Sequence, residues 1–432
     1  MYIYLKIDNI CGIDKEIKID FLAEPRKRTK KETVIEIEKG KNINKLTGIL
    51  GCNASGKSSI IRAITALESF LTYNSEFERN QSEEKERRYI RRIEDILPKA
   101  NVNRKDEYSI IELCAYIEKC DIPGIYTYRL EYTLNPLAEI KVIEKLTYKN
   151  NFNSKEKEIL NIKKKKLESE IGIKYNYRDS FIEEINDNEV FINSNFMEKL
   201  MYYQCFYEYI YKELIYAEEK IDNIRLQHYM IQQWIEQDKD TIEKVVKLID
   251  KTIDIFELET IEGTKQKRIN YYNESRQKLT FSDMSSGTRK FLTYIYLILI
   301  TLNLDGIILI DEIENSLHND LVKFILKLIT LKGCKSQIIF TTNNQYTMDE
   351  EIMRIDQMYY LEKNNEGKTE LKRFSESLRN EKNSNQVRND ETIRLKFKEK
   401  SICKGFQPSM QKIDEFVEYV NNKDILSKHV IE

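Results

Sequence analysis

Glycine, proline and histidine are scarce in this sequence, and its charges nearly cancel. The 432 residues include 13 glycines and 5 prolines, a composition typical of long helices and ordinary strands and not of a loop-rich scaffold. Charged residues make up 33% of the chain, yet the formal net charge is -2, which argues against a wholly basic nucleic-acid binder. Three histidines are too few for an HNH-like nuclease cluster.

Cysteine is sparse as well, and long apolar runs are missing. The 7 cysteines stand at irregular intervals without C-x-x-C spacing, which predicts reduced thiols in a cytoplasmic protein. The opening segment MYIYLKIDNICGID lacks the zones of a signal peptide. The most apolar run, Phe291 to Leu304, is too short to span a bilayer, so we expect a buried helix there and no membrane partner.

A glycine turn carries the clearest chemical signal. The segment GCNASGKS fits the phosphate-loop pattern G-x-x-x-x-G-K-[ST], with a strand pattern before it and a helical pattern after it. Glycines let successive N–H groups point at a triphosphate, and the following helix presents its positive end to the same anion. Lys57 is expected to reach the β- and γ-phosphates, and the Ser58 hydroxyl to ligate Mg²⁺. The predicted nucleotide-binding residues of this loop are Gly51, Asn53, Ala54, Ser55, Gly56, Lys57, Ser58 and Ser59.

A second motif is an apolar run that ends in two acids. Ile307 to Ile310 have the pattern of a buried strand, and Asp311 and Glu312 follow directly. A phosphate loop requires a metal-holding carboxylate at the end of a second buried strand, so Asp311 is expected to hold Mg²⁺. Glu312 is then expected to polarise the attacking water as general base. Without the phosphate loop, the two acids would be interpreted as a solvated strand end.

A serine-glycine turn before the apolar helix forms a third motif. In FSDMSSGTRKFL, residues Ser285, Ser286 and Gly287 offer hydroxyl and backbone donors at a helix N-terminus, which favours an anion. The alternative interpretation is an ordinary N-cap.

Taken in order, GCNASGKS, MSSGT, LIDEIENSLH and IIFTTNN resemble the motifs of ABC-type ATPases of the SMC, RecF and OLD branch. In that family they are the Walker A loop, the signature, Walker B with the D-loop, and the switch. The segment from Arg354 to Leu371 is also similar to this branch, particularly to the small prokaryotic ATPases of anti-phage defence operons of the RloA, AbiL, Septu and PARIS types. The resemblance covers about residues 1–70 and 270–410.

This resemblance implies an α/β P-loop fold of the ABC type, with a mixed sheet flanked by helices, an antiparallel β lobe and a helical insertion. It implies two heads that sandwich two ATP molecules, each bound by Walker A of one head and by Ser285, Ser286 and Gly287 of the other. ATP and Mg²⁺ are the implied cofactors. ATP then favours a closed homodimer or higher homo-oligomer, and hydrolysis releases it.

The switch departs from the family pattern. Asn343 follows Thr342 where the family usually has histidine. Asparagine can hydrogen-bond to a γ-phosphate or a water but cannot take up a proton. We therefore assign Asn343 a catalytic position with slow turnover and a long-lived ATP-bound dimer. His318, after the D-loop, is expected to be a structural or interface residue.

The motifs divide the chain into four parts. Residues 1–150 are expected to form the N-terminal part of the ATPase core, with Walker A and a β lobe that ends near Asn150. Residues 151–270 are expected to form a helical insertion, with a long tyrosine-rich helix that belongs to a core or interface. Residues 271–372 complete the core, and residues 373–432 form a tail with a short helix.

Three basic clusters, at residues 26–31, 87–92 and 163–166, leave nucleic-acid binding open, although flanking acids favour solvated surfaces. No nuclease signature accompanies the ATPase motifs. We therefore expect the sensor or regulatory ATPase of an anti-phage, abortive-infection system that controls a separate effector, a nuclease or a toxin. Two alternatives stay open: an ATPase of DNA repair or chromosome maintenance, and a nucleotide-locked scaffold with little hydrolysis.

Overall fold

The computed structural model of the protein describes residues 1–25, 31–51, 55–76, 96–134, 140–167, 194–216, 222–263, 267–315, 317–331, 334–344, 347, 352–363 and 368–376. Asn53 and Ala54 of the predicted phosphate loop lie outside these described residues. The same holds for residues 26–30 and 87–92 of the basic clusters and for the predicted tail helix.

The strands and helices of the described residues are numbered in chain order. The strands are β1 (Tyr2–Asp8), β2 (Ile17–Asp20), β3 (Val34–Glu38), β4 (Lys41–Asn44), β5 (Leu46–Gly51), β6 (Ser109–Ile117), β7 (Gly124–Thr133), β8 (Ile140–Lys149), β9 (Lys157–Leu167), β10 (Leu214–Tyr216), β11 (Ile253–Thr260), β12 (Lys267–Asn273), β13 (Lys278–Thr280), β14 (Ile307–Ile310), β15 (Gln337–Thr342), β16 (Met358–Lys363) and β17 (Thr369–Arg373). The α-helices are α1 (Lys57–Glu76), α2 (Ser194–Glu213), α3 (Ile224–Ile249), α4 (Ser286–Leu304) and α5 (Asn319–Ile329).

Two six-stranded sheets form the frame of the molecule. The first is antiparallel, with the strand order β2-β1-β6-β7-β8-β9. The second has the order β10-β14-β15-β5-β16-β17; its first five strands run parallel, and β17 is an antiparallel edge strand. The predicted fold class, a mixed sheet flanked by helices beside an antiparallel β lobe, is therefore confirmed.

One hydrophobic core lies between the antiparallel sheet and helices α1 and α2. Alternation along β7 buries Tyr126, Tyr128 and Leu130 on the same face of the sheet. Phe206 of α2 stacks against the rings of Tyr126 and Tyr128, with centroid distances of 6.3 and 5.3 Å. The tyrosine-rich helix is thus part of the core, as the sequence predicted.

The central strands β5, β14 and β15 of the parallel sheet are fully buried, which explains why their sequences are largely apolar. Ile307 and Leu309 of β14 belong to the core of the β lobe, whereas Ile308 and Ile310 belong to a second core with α3, α4 and α5. Most side chains of α4 are buried, which confirms the buried helix predicted over Phe291 to Leu304. Within the described part of the chain, no helix is long and apolar enough to cross a membrane.

Three segments predicted to be helical form strands instead. The lobe does not end near Asn150, because β9 pairs with β8 and adds one more strand. The long helix ends at Glu213, and residues 214–216 become β10, which pairs with Ile307 to Leu309. Residues 253–260 and 267–270, which fall inside the predicted helical insertion, belong to β11 and β12 of the antiparallel sheet β11-β12-β13. Strand β10 is fixed by a partner distant in sequence, whereas β9 and β11 each pair with the neighbouring strand across a turn, and local periodicity reveals neither kind of pairing. The division of the chain at residues 150, 270 and 372 stays a prediction.

Candidate nucleotide-binding site

Three predicted motifs converge at one edge of the parallel sheet. Strand β15 lies between β14 and β5, and all three run parallel. Their carboxyl ends carry Asp311 after β14, Asn343 after β15, and the glycine turn after β5. In open α/β sheets, ligands bind outside the carboxyl ends of the strands. The fold therefore brings the phosphate loop, the acid pair and the switch to the same edge.

The two glycines of the turn, Gly51 and Gly56, are required for different physical reasons. A Cβ atom on Gly51 would lie 2.6 Å from the Leu361 carbonyl oxygen and 2.6 Å from Ser55 Oγ, so a side chain does not fit. Gly56 has a φ of +108°, which strains any residue with a side chain. Gly12, from the loop after β1, comes so close that a Cβ there would be 3.4 Å from Gly56 Cα. The Gly12 contact has no signal in the sequence motif.

The described part of the phosphate loop has the groups that a triphosphate requires. Lys57 is buried, and its Nζ donates a hydrogen bond to the Gly51 carbonyl oxygen at 2.7 Å. Ser55 is buried too, and its Oγ has no hydrogen-bond partner among the described residues. Helix α1 starts at Lys57 and has no acid in its first turn, so its positive end is not neutralised there. These groups fit an anion, and Ser58 and Ser59 occupy the same first turn.

A threonine that sequence reasoning missed organises the acid pair. The Thr341 hydroxyl donates to the Asp311 carboxylate and accepts the Glu312 N–H at 2.9 Å. Glu312 itself has a φ of +47°, in the left-handed region, and begins a tight turn. The only sequence signal for this role was the polar pair of threonines at the end of IIFTT. Asp311 and Glu312 are both partly exposed, so they remain accessible at the sheet edge.

The predicted switch residue lies beside the predicted general base. Asn343 Nδ2 donates to Glu312 Oε1 at 3.3 Å, which joins the ends of β15 and β14. The backbone N–H of Asn343 donates to Glu314 Oε1 at 2.6 Å. The Asn343 side chain is exposed. The structure thus brings Glu312 and Asn343 together, and Glu314, which no motif had singled out, joins them.

The signature residues stand at the start of α4. Ser285 is its N-cap, and its Oγ accepts the Thr288 N–H at 3.1 Å, so the N-cap interpretation holds for this hydroxyl. Ser286 is exposed and Gly287 is partly exposed. Ser286 and Gly287, at the start of α4, are therefore accessible to a second molecule.

His318 has a structural position, as expected. It is the N-cap of α5, and its Nδ1 accepts the Asp320 N–H at 3.4 Å.

One family model matches part of the chain. The family model "AAA domain, putative AbiEii toxin, Type IV TA system" matches residues 201–349, about a third of the chain. That range includes the signature, the acid pair and the switch but not the phosphate loop. No curated protein sequence matches this chain.

Solved structures of Smc heads are similar at low sequence identity. The Smc head bound to the C-winged helix domain of ScpA is 14% identical, with a TM-score of 0.46, and the match covers 88% of this chain and 99% of that chain. An Smc head domain with an extended coiled coil, bound to the C-terminal domain of ScpA derived from Pyrococcus furiosus, is 14% identical, with a TM-score of 0.37 over 88% and 98% of the two chains.

The sheet order and the phosphate loop at the carboxyl edge of the parallel strands define a mixed α/β fold of the P-loop type. Residues 201–349 are similar to an AAA-domain family, and the motif order resembles that of ABC-type ATPases of the SMC and RecF branch.

Proposed function

We propose that this chain binds Mg-ATP at the phosphate loop, hydrolyses it slowly, and forms a closed dimer when ATP is bound. The observation that supports this most is the convergence of the ends of β5, β14 and β15 at one sheet edge. Lys57 and the unpaired hydroxyl of Ser55 bind phosphate oxygens, as do the backbone groups of the glycine turn. Ser58 and Asp311 would hold Mg²⁺, which would neutralise phosphate charge when bound.

Glu312 and Asn343 act together in the hydrolysis step. Glu312 accepts the proton of the attacking water, and Asn343 holds the Glu312 carboxylate through its amide. Because Asn343 cannot take up a proton, it supplies orientation and not acid–base chemistry. Turnover is therefore slow, and the ATP-bound state is long-lived.

The exposed start of α4 is the surface for a second copy. Ser286, Gly287 and the backbone at Ser285 bind the triphosphate held by the partner's phosphate loop. ATP thereby acts as a ligand that favours the closed dimer, because it binds the dimer more tightly than the separated chains.

In the cell, we propose that the chain is the cytoplasmic sensor or regulatory subunit of an anti-phage defence system. The description of the matched family names a putative AbiEii toxin of a type IV toxin–antitoxin system, which supports a role in a system of this kind. A separate effector protein then carries the killing activity. The exposed side chains of Ile224, Leu226 and Tyr229 on α3 are the part of the proposed insertion that is available for such a partner.

The test uses the purified full chain. Steady-state ATP hydrolysis and ATP binding are measured for the wild type, Lys57→Ala and Glu312→Gln, together with the molecular mass in solution with and without Mg-ATP. We expect Lys57→Ala to lose ATP binding, and Glu312→Gln to bind ATP, remain dimeric and lose turnover. A wild type that binds no ATP contradicts the proposal.

Further measurements on the same variants and on the purified chain separate the alternative functions. Turnover stimulated by DNA, with salt-sensitive DNA binding, would indicate repair or chromosome maintenance. Full biological activity in Glu312→Gln, with none in Lys57→Ala, would indicate a nucleotide-locked scaffold. A co-purified toxin or nuclease supports the defence role.

A further inference from the structure

Two carboxylates from one turn hold the same switch residue. Glu312 Oε1 accepts the side-chain Nδ2 of Asn343 at 3.3 Å, and Glu314 Oε1 accepts the backbone N–H of Asn343 at 2.6 Å. Asn343 is therefore restrained at its backbone and at its amide. A hydrogen bond from a backbone N–H to an ionised carboxylate is stronger than one between neutral groups.

The turn after β14 has a backbone that fixes the position of Glu314. Glu312 has a φ of +47°, and its carbonyl accepts the Asn315 N–H at 2.7 Å, which closes the turn around Glu314. Ile313 is fully buried, and its N–H donates to the Thr341 carbonyl at 3.1 Å. The turn is thus anchored to β15 at Thr341, two residues before Asn343, and Glu314 has little freedom to move away from Asn343.

A second link joins the switch to the start of α5. Asn344 Nδ2 donates to Asn319 Oδ1 at 2.6 Å, one residue beyond the Glu314 contact. The switch is therefore connected to the residues that follow β14 at two consecutive positions, through the Asn343 backbone N–H and the Asn344 side-chain amide.

Glu314 is only partly buried, but one of its carboxylate oxygens is shielded from solvent. This oxygen, Oε2, has no hydrogen-bond partner in the described part of the chain. A desolvated carboxylate oxygen raises the free energy of the folded state. The short bond from Asn343 offsets part of that penalty, so the switch and Glu314 stabilise each other.

We infer that Glu314 is a positioning residue: it fixes the Asn343 backbone, so that the Asn343 amide holds Glu312 in place for proton abstraction. This inference rests on the proposed ATPase function. Glu314 acts through Asn343 and does not touch the nucleotide.

Turnover measurements test this role with three variants. Glu314→Ala removes the acceptor, and we expect kcat for ATP to fall about tenfold while the Kd for ATP stays unchanged, since misplacement of a catalytic group affects the chemical step. Glu314→Gln keeps an acceptor oxygen and should retain most of the activity. If Glu314→Ala fails to fold, Glu314→Asp, whose shorter side chain cannot reach Asn343, takes its place.

A matched control comes from α3. Glu243 Oε1 accepts the backbone N–H of Phe256 at 3.0 Å, which is the same kind of contact outside the site. Glu243→Ala should lose a similar amount of stability and leave kcat unchanged. An equal kcat in Glu314→Ala and the wild type would overturn the inference.

A double-mutant cycle tests the path through Asn343. Residues that act as a unit show strongly non-additive effects. Adding Glu314→Ala to Asn343→Ala should therefore cause no further loss of kcat. Fully additive losses would show that Glu314 acts by another path and would overturn the inference.

Amide hydrogen exchange in the nucleotide-free protein provides a readout that does not need turnover. Glu314→Ala should accelerate exchange at Asn343, whereas Glu314→Gln and Glu243→Ala should not. Unchanged exchange at Asn343 overturns the inference even if the chain is an active ATPase. If exchange responds as expected but the wild type neither binds nor hydrolyses ATP, the contact stands and the proposed function fails.

Discussion

The Thr341 hydroxyl donates a hydrogen bond to the Asp311 carboxylate across the adjacent strands β15 and β14. The same hydroxyl accepts the N–H of Glu312 at 2.9 Å. One side chain of β15 therefore orients both acids: Asp311, the proposed Mg²⁺ ligand, and Glu312, the proposed general base. Thr341 is fully buried, so its hydroxyl has no water to replace these partners.

Thr341→Val should lower stability and turnover together. Valine keeps the shape of the threonine side chain but leaves the Asp311 carboxylate and the Glu312 N–H without this partner. We expect the free energy of unfolding to fall by about 1–3 kcal/mol. Denaturant unfolding measures the stability, and Mg²⁺-dependent ATP hydrolysis measures the site. Thr301→Val is the control, because the Thr301 hydroxyl donates to the Leu297 carbonyl inside α4, away from the sheet edge. Equal turnover in both variants would argue against an orienting role for Thr341.

Gly51→Ala should abolish ATP binding. The new Cβ would collide with the Leu361 carbonyl oxygen at 2.6 Å, and the backbone of β16 cannot move away without disturbing the sheet. We expect a loss of about 1–3 kcal/mol in the free energy of unfolding, typical of overpacking. Gly40→Ala provides the comparison: Gly40, unlike Gly51, has a positive φ of +78°, but nothing lies within 4 Å of its Cβ position. Normal ATP affinity in Gly51→Ala would show that the loop can adjust.

Asn343→His should raise the steady-state rate, by roughly tenfold, because an imidazole can accept a proton where asparagine cannot. The gain should depend on pH. It should appear as the pH rises through about 6.5, where histidine loses its proton, and should be missing in the wild type. A rate profile from acid to neutral pH measures both effects. A wild-type rate comparable to fast transport ATPases, with loss of activity in Asn343→His, would contradict slow turnover.

Ser286→Glu should prevent ATP-dependent dimerisation without weakening ATP binding to the single chain. The added carboxylate would repel the triphosphate of a second copy, while Ser286 is exposed and contributes no core contact. Light scattering with Mg-ATP measures the molecular mass. Gln277→Glu introduces the same charge in an exposed turn between β12 and β13 and should dimerise normally. A dimer of normal affinity in Ser286→Glu would place the interface elsewhere.

Glu112 should make the β lobe sensitive to acid. Burial raises the pKa of the Glu112 carboxyl, but hydrogen bonds from Arg129 and Tyr4 and the nearby Lys6 ammonium outweigh it, so the net pKa lies below the usual 4.5. A lowered folded-state pKa stabilises the fold above that usual value, and the contribution disappears as the pH falls through the folded-state pKa. Glu112→Gln should therefore cost about 1–3 kcal/mol at neutral pH and little in strong acid. Unfolding curves across this pH range measure the difference. A deficit that does not shrink with acid would exclude the charge as its cause.

Local patterns predicted a large part of this site. The strand–turn–helix order around Gly51 depends on apolar runs and on glycine conformation, which neighbouring residues determine. The buried helix α4 and the apolar strand before Asp311 follow from the same kind of periodicity. Predictions failed at β9, β10 and β11, whose strand partners either lie beyond a turn or far along the chain.

Residues that act across strands had no local signature. Thr341, Glu314 and Gly12 are ordinary residues in the sequence, and their contacts with Asp311, Asn343 and Gly56 depend on segments from different parts of the chain. No spacing rule relates such pairs, because each contact exists only after the strands have paired.

The sequence alone determined which residues can bind a phosphate, because the backbone freedom of glycine, the charge of lysine and the start of a helix are local properties. Only the tertiary structure decided that β15 lies between β14 and β5, so that a threonine and an asparagine from the switch meet the two acids. The physical reason is that parallel strands buried on both faces are selected by packing between distant segments, and their near-continuous apolar runs do not encode their order.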